Sequence, residues 1–502
     1  MLEDEEEVLK PDLRPPLVNT SAPQDKEPST DDLDFFRKWQ EARQQRRLKG
    51  EYESHVIRLT ELVNSNLALP IRIREVRVLG ADRTRSSFLE YIINPILADE
   101  LSSTGEGSNT DTLEAALHKT RRISQVLLRS DIFTSITPTL ERNRDALAEG
   151  QDVDIVVRCR ERGRFFLKTA TEIGNNEGTA SMIGRLRNVF GGGENFEASL
   201  SLGSRTRHAF SAALTAPLGT DLRTIGTLSV FATERDLSTF SSCKEVLKGV
   251  KAAIRAPSLF GSHEFAYEAA LRHIGDLKPE ASISIREATG FTTKSALSHT
   301  FVRDTRDSAA VPSRGMYLKI FQELAGLGGD ATFLKNEVDS QVARYIGHGY
   351  SLSISARGGL LYPLNPDRKT LFNDRFQLGG PFSLRSFKHN SMGPRDGDDS
   401  LGGEVYWAAG ASIIGDLPLK PHWPVKTHIF VNAGRLDTLD RSAPLVDAVR
   451  SSLSRPSISA GIGLLYRFDP IRVEVNFAVP LVAAKSDGLQ RGLQAGIGID
   501  FL

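Results

Sequence analysis

The sequence is short of most features that mark an enzyme. Two cysteines in 502 residues, Cys159 and Cys243, cannot build a disulfide framework, and their spacing fits no metal site. No Gly-Lys dipeptide occurs, which removes the P-loop, and there is no G-x-S-x-G elbow. The ten histidines are scattered. His263-Glu264 begins like a zinc-protease helix, but Tyr267 stands where the second histidine belongs. Neither sign of charge prevails: 63 basic and 63 acidic residues give zero formal net charge, so no nucleic-acid surface is expected. The expectation is a chain with no catalytic residues, no cofactor and no metal.

Long apolar runs are also missing. None approaches the roughly 18 residues of a membrane-spanning helix, and mean hydropathy is −0.25. A membrane β-barrel escapes this test, because only alternate residues face lipid. The N-terminal MLEDEEEVLK is acidic, unlike secretory and mitochondrial presequences. A barrel made without a signal peptide would not be one of a bacterial outer membrane, which leaves an organelle membrane reached by an internal signal as an open alternative.

What is present changes character along the chain. Residues 1–30 are acidic and proline-bearing and read as disordered. Residues 31–70 are charged and helix-prone, with one small apolar patch at Phe35, Phe36 and Trp39. Residues 71–160 read as a compact α+β module of order β-α-α-β-β: IRIREVRVLG, two helices of which the second carries an apolar stripe, then ITPTLERN and VDIVVRCRE. From Gly163 onward no helix is expected. Strand-length segments of about ten residues follow one another, each with alternating faces. In IRVEVNFAV, Ile471, Val473, Val475, Phe477 and Val479 share one face, with Arg472, Glu474 and Asn476 on the other. In VKTHIFVN, Val425, Thr427, Ile429 and Val431 oppose Lys426, His428, Phe430 and Asn432. Charges on the second face of nearly every strand are wrong for a packed core and suit a hydrated lumen. The count is about 16 strands, with residues 281–303 open between one long strand and two short ones. A soluble sandwich or propeller would need a second greasy face or a repeat, and no repeated signature is found. The fold class is thus mainly β: an antiparallel transmembrane barrel over residues 163–502, preceded by one small α+β domain.

One segment is too long for a hairpin turn: FQLGGPFSLRSFKHNSMGPRDGDDSLGG, residues 376–403. Phe376, Leu378, Phe382, Leu384 and Phe387 are too apolar for a tail in water. Folded back into the lumen they would be buried, and Arg385 would then need a carboxylate. The final strand, LQAGIGIDFL, puts Leu493, Ala495, Ile497, Ile499 and Phe501 on one face. An apolar edge strand calls for a partner.

On these motifs, residues 71–502 resemble the outer-membrane barrel assembly channels, which couple POTRA modules to a 16-stranded barrel. They are most similar to the mitochondrial branch, the channel subunit of the sorting and assembly machinery in its fungal form. FQLGGPFSLRSF is similar to the family's sixth-loop region, whose core is Val/Ile-Arg-Gly-Phe/Tyr. It reads Leu384-Arg385-Ser386-Phe387 here, so arginine and aromatic are kept and glycine is not; serine favours an ordinary backbone angle at this tip. The Phe-x-Asp-x-Gly strand motif appears as Phe430-Val431-Asn432-Ala433-Gly434, with Asn432 in place of the acid. Glu404 and Glu474, both on lumen-facing parity, are the alternative partners of Arg385. DTRD (304–307) and SRG (313–315) also resemble family landmarks. Gln494-Ala495-Gly496-Ile497-Gly498-Ile499-Asp500-Phe501 matches the mitochondrial β-signal, polar-x-Gly-x-x-hydrophobic-x-hydrophobic.

The resemblance implies an insertase for β-barrel precursors in the mitochondrial outer membrane, with the POTRA module in the intermembrane space. The first strand, including Arg164, Phe165, Phe166, Leu167, Lys168 and Thr169, would pair with the last strand and part from it as a lateral gate. Implied partners are unfolded precursors, metaxin-like receptor subunits, intermembrane-space chaperones and membrane lipid. A passive pore or polypeptide-export channel of the same superfamily is the alternative, and a structural scaffold for outer-membrane complexes is a third reading.

Overall fold

The computed structural model describes residues 30–98, 111–145, 148–174, 177–365, 368–417, 423–441, 444–468 and 471–498. Residues 1–29 of the expected acidic tail lie outside these, as do Ile499 and Phe501 of the terminal motif. The charged segment after the tail is helix α1 (Thr30–Ser65), on which Phe36 and Trp39 stack with ring centroids 6.0 Å apart.

The small module keeps the expected order with one addition. It runs β1 (Pro70–Leu79), α2 (Ser86–Leu97), a two-residue β2 (Asp111–Thr112), α3 (Leu113–Arg129), β3 (Phe133–Arg142) and β4 (Asp152–Glu161). The sheet order is β2-β1-β4-β3. Ile92, Ile123, Leu127 and Ile155 are buried, each contributing roughly 1.5–3 kcal/mol. Arg72 and Arg77 pair with the buried Asp152 and Asp154, each at 3.0 Å.

The second sheet has sixteen strands, all antiparallel to their neighbours. It begins with β5 (Phe165–Gly174), β6 (Glu177–Arg187), β7 (Asn195–Gly203), β8 (Thr206–Pro217), β9 (Ile225–Asp236) and β10 (Lys244–Pro257). It continues through β11 (Ser262–Gly275), β12 (Gly290–Asp304), β13 (Gly315–Ala325), β14 (Phe333–Gly347) and β15 (Tyr350–Pro363). A long connection follows, whose described residues include a 3-10 turn (Phe372–Asp374) and the two-residue strands β16 (Arg395–Asp396) and β17 (Asp399–Ser400). The sheet resumes as β18 (Val405–Asp416), β19 (Val425–Asp437), β20 (Ser457–Phe468), β21 (Ile471–Val482) and β22 (Gly492–Gly498). Residues 281–303 thus supply one strand, β12, preceded by the short helix α4 (Ile283–Glu287).

Two expectations are corrected. Helices do occur beyond Gly163, namely α4 and α5 (Leu445–Leu453). Both lie in connections, where no ladder competes, and the Ser282 hydroxyl caps α4 by accepting from Ile285 N. Arg164 precedes β5 rather than belonging to it, although its carbonyl still accepts from Arg187 N at 2.8 Å.

Alternation decides which way each strand faces. Ile429, Ile462 and Phe477 of β19, β20 and β21 are 63%, 59% and 55% exposed, a surface that water would not tolerate over a whole wall. The intervening His428, Asn432, Glu474 and Asn476 are buried. That inversion, greasy outside and polar within, is the signature of a barrel in lipid. No described helix is long and apolar enough to cross a membrane.

The ends of the sheet meet without joining. Cα atoms of β5 and β22 come within 8 Å of each other, yet among the described residues no hydrogen-bonded ladder links them.

Candidate functional site

The long connection between β15 and β18 folds into the lumen. Phe376, Leu378, Leu384, Phe387 and Met392 are buried, while Phe382 is half-buried. They pack with Phe333, Leu361, Ala408 and Leu436 of the wall. Small wall residues leave room for them: a Cβ on Gly434 would lie 2.5 Å from Leu384 Cδ1. This burial carries Arg385 inward, and its side chain is 0% exposed.

An enclosed guanidinium requires an anion, and Glu474 on β21 provides it. Arg385 Nε donates to Glu474 Oε2 at 3.0 Å, and Nη2 to Oε1 and Oε2 at 3.1 and 2.9 Å. The guanidinium lies over the Phe430 ring, 4.7 Å from its centroid. In the amide orientation that satisfies both its groups, Asn432 accepts from Arg385 Nη1 at 3.0 Å. The asparagine replacing the family acid thus still meets the arginine, as a neutral acceptor. Glu474 also accepts from Asn476 Nδ2 at 2.7 Å, and Asn476 Oδ1 meets His428 Nε2 at 2.7 Å.

Glu404 is not part of this cluster, which corrects the expectation. It precedes β18 at the mouth and is satisfied there by Thr370 Oγ1 at 2.6 Å and Leu439 N at 2.9 Å.

Reading the sequence missed a second cation. Arg472 also ion-pairs with Glu474, and its Nη1 donates to the Ala310 carbonyl at 3.1 Å. The signal was present in the i, i+2, i+4 run Arg472, Glu474, Asn476 on one lumenal face. Ala310 belongs to the β12–β13 turn, at the mouth opposite the long loop. There Asp307 accepts from Ser313 Oγ at 2.5 Å and from Ser313 and Arg314 N–H groups, so DTRD and SRG close a single turn. Ala310 and Val311 are buried with Ile414 and Leu465. Glu474 is therefore the meeting point of segments entering from both mouths.

The loop tip also holds the last strand. Ser386 N donates to Gln494 Oε1 at 2.8 Å, and Gln494 Nε2 donates to the Phe387 carbonyl at 3.1 Å. Gln490 N and the Gly488 carbonyl engage Ser386 O and Lys388 N at 2.9 and 2.8 Å. The loop's other flank is tied across the lumen. Asp399 accepts from Ser242 N and Ser282 N, each at 2.8 Å, and Asp374 from Arg272 Nη1 at 2.6 Å. Burial pushes the Asp399 carboxyl up, but its hydrogen bonds from Ser282 and Ser242 outweigh that and hold it below the ordinary carboxylate range. This flank is thus firmest above the ordinary carboxyl pKa and loosens as pH falls through the lowered value.

Ser386 does not adopt the ordinary angle that its side chain favours. Its φ is +73°, imposed by hydrogen bonds on both sides of the residue. The buried hydroxyl has no hydrogen-bond partner among the described residues. Ser386→Gly relieves a left-handed serine and removes nothing that bonds. It is expected to stabilise the barrel by about 0.5–1 kcal/mol, read as a raised urea midpoint for the folded species; a lowered midpoint contradicts this.

Among the described residues no group of three or more His, Cys, Asp or Glu side chains is placed to hold a metal, and Cys159 and Cys243 are not joined in a disulfide. Fold and site together define a sixteen-stranded membrane barrel whose lumen is occupied by a latched loop. The Omp85 superfamily domain matches residues 188–501. A SAM50-like protein of Schizosaccharomyces pombe is 34% identical, covering 88% of this chain and 94% of its own. The sorting and assembly machinery component 50 homolog of Homo sapiens is 32% identical over 79% and 86%. The crystal structure of BamA from Haemophilus ducreyi lacking POTRA domains 1-3 shares the fold, with a TM-score of 0.69, 17% identity and coverage of 85% and 84%. The chain belongs to the Omp85 superfamily and, within it, to the sorting and assembly machinery component 50 family.

Proposed function

We propose that this protein folds and inserts β-barrel precursors into the mitochondrial outer membrane, using the seam between β5 and β22 as a lateral gate. The carrying observation is that, among the described residues, β5 and β22 approach without a ladder, beside a loop that grips Gln494. Membership of a family whose relatives are named for sorting and assembly supports it. In hydrocarbon each unpaired backbone N–H or C=O costs several kcal/mol, so a precursor cannot enter strand by strand unaided. A free β5 edge, from Phe165 to Thr169, offers a template by strand addition. The precursor's terminal β-signal takes the place of β22, with Gln494, Gly496, Gly498, Ile499 and Phe501 marking the segment it replaces. Hairpins then add until the new barrel closes and leaves. Pairing and burial supply the driving force without nucleotide or cofactor.

In this reading residues 71–160 act as a POTRA module facing the intermembrane space, where chaperones deliver precursors, and metaxin-like subunits receive the β-signal. A passive pore or export channel is disfavoured by the filled lumen.

The test is crosslinking of an arrested precursor's last strand to single cysteines at positions 165–169. Adducts confined to these positions, and competed by free β-signal peptide, are expected. Adducts spread evenly over lumenal positions of β9 to β13 would favour the export channel instead.

A further inference from the structure

The outer wall opposite the seam carries a feature that a lipid-facing surface does not need. On β11 to β14 the lumenal positions are set by ion pairs: Glu264 with Lys251, Glu323 with Lys294, and Glu337 with Lys335. The alternate positions therefore face outward, and among them stand His263, His299, Gln322 and Asn336. The register places His299 across from Gln322, and Gln322 across from Asn336. His263 is one pair along from the Phe265–His299 pair. Their side chains form one chain of contacts: His263 Nδ1 to His299 Nε2 at 3.1 Å, His299 Nδ1 to Gln322 Oε1 at 3.5 Å, and Gln322 Nε2 to Asn336 Oδ1 at 3.3 Å. His299, Gln322 and Asn336 each lie three or more residues inside their strands. Across β15 and β18 to β21, outward positions at that depth are apolar, alanine or glycine.

Polar side chains inside a bilayer ordinarily meet protein or water, not acyl chains. This chain is satisfied internally but ends on groups with no hydrogen-bond partner among the described residues, Asn336 Nδ2 and His263 Nε2. We infer that the β11–β14 wall docks a membrane-spanning helix of another protein, one that presents uncharged hydrogen-bonding side chains. The track is itself without carboxylate, lysine or arginine, which selects Ser, Thr, Asn or Gln on the partner. Cross-strand neighbours repeat about every 4.8 Å, close to the roughly 5.4 Å of a helical turn, so polar groups at i, i+4 and i+7 keep step with the track. A second copy of this chain meeting the track through its β15 or β18–β21 wall is a poorer fit, because those walls are apolar at this depth. β11–β14 are the seventh to tenth of sixteen strands counted from β5, so such a partner sits far from the seam and leaves it unobstructed.

The test places a photo-crosslinking residue at Leu324, outward and beside Gln322 on β13, in the full chain within its native membrane. A matched probe at Ile462 on β20 is the control. The expected result is an adduct at 324 that maps by mass spectrometry to an apolar membrane-spanning stretch of another protein, and none at 462. Gln322→Leu/Asn336→Leu should cut that adduct at least five-fold while the barrel keeps its heat-modifiable gel migration. Adducts to lipid only, adducts to a second copy, or an adduct undiminished in a folded double variant would each overturn the inference. The identity of the unmutated protein's adduct decides the case even if the double variant does not fold.

Discussion

Glu474→Ala is expected to lower the stability of the folded barrel by roughly 3–5 kcal/mol, the usual loss when one partner of a buried ion pair is removed. The carboxylate lies under two guanidiniums, Arg385 from the loop and Arg472 from its own strand. Removing it takes the carboxylate from both enclosed cations, leaving Arg385 the neutral Asn432 and Arg472 the Ala310 carbonyl among the described contacts. The loop should leave the lumen before the barrel unfolds, because its apolar contacts and its remaining hydrogen bonds must then hold Arg385 inside without the Glu474 carboxylate. Protease cleavage between residues 376 and 403 in membranes reads the first event, and the urea midpoint reads the second. Glu474→Gln keeps the shape and one acceptor, so it should fall between alanine and the native residue. Arg385→Lys keeps the charge but loses the fork that bonds through both Nε and Nη2. An alanine variant with native protease resistance would mean that packing, not charge, seats the loop.

Gln494→Leu should act on the last strand. The Gln494 amide satisfies a backbone N–H and a backbone carbonyl of the loop tip, at Ser386 and Phe387. Both groups are buried, and stranding each costs about 1–3 kcal/mol. The expected loss, roughly 2–4 kcal/mol in sum, falls on the contact between loop and strand rather than on the β21–β22 ladder itself. Amide exchange should therefore speed up at 386–387 and 492–498, while β18 to β20 stay protected. Gln494→Glu retains the acceptor for Ser386 N and loses the donor to Phe387, which predicts an intermediate rate. If exchange in 492–498 is unchanged by the leucine, the loop does not restrain the strand. The gate reading implies a further consequence: a looser last strand yields its place more readily to an incoming precursor.

Much of this site was legible in the residues. Period-two alternation set the strand faces correctly in β19 and β21, because a strand has only two sides and lipid accepts one kind of residue. The apolar crowding around Arg385 implied a lumen-folded loop, since an exposed segment gains nothing from so many large side chains. The choice among carboxylates was not legible. Glu404 and Glu474 share the same inward parity, and only the depth of the loop tip separates them: one lies at the mouth, the other beneath the guanidinium.

The backbone of Ser386 shows the same limit at a single residue. Intrinsic preference argued for an ordinary angle, and the surrounding hydrogen bonds overrode it. Arg472 was placed on the correct face, but its second acceptor is a carbonyl more than 160 residues earlier in the chain.

By itself the sequence determined the class: a barrel of about sixteen strands, an inward loop with a buried arginine, and a terminal strand of alternating faces. Those follow from local rules, alternation and the cost of burying charge, that need no knowledge of distant neighbours. The tertiary structure alone decided which acid meets the arginine, which turn enters from the other mouth, and whether the first and last strands are laddered. It also decided that a polar track runs unbroken across four strands of the outer wall. Each of these depends on register between residues far apart in the chain, and register is fixed only when the whole sheet is assembled.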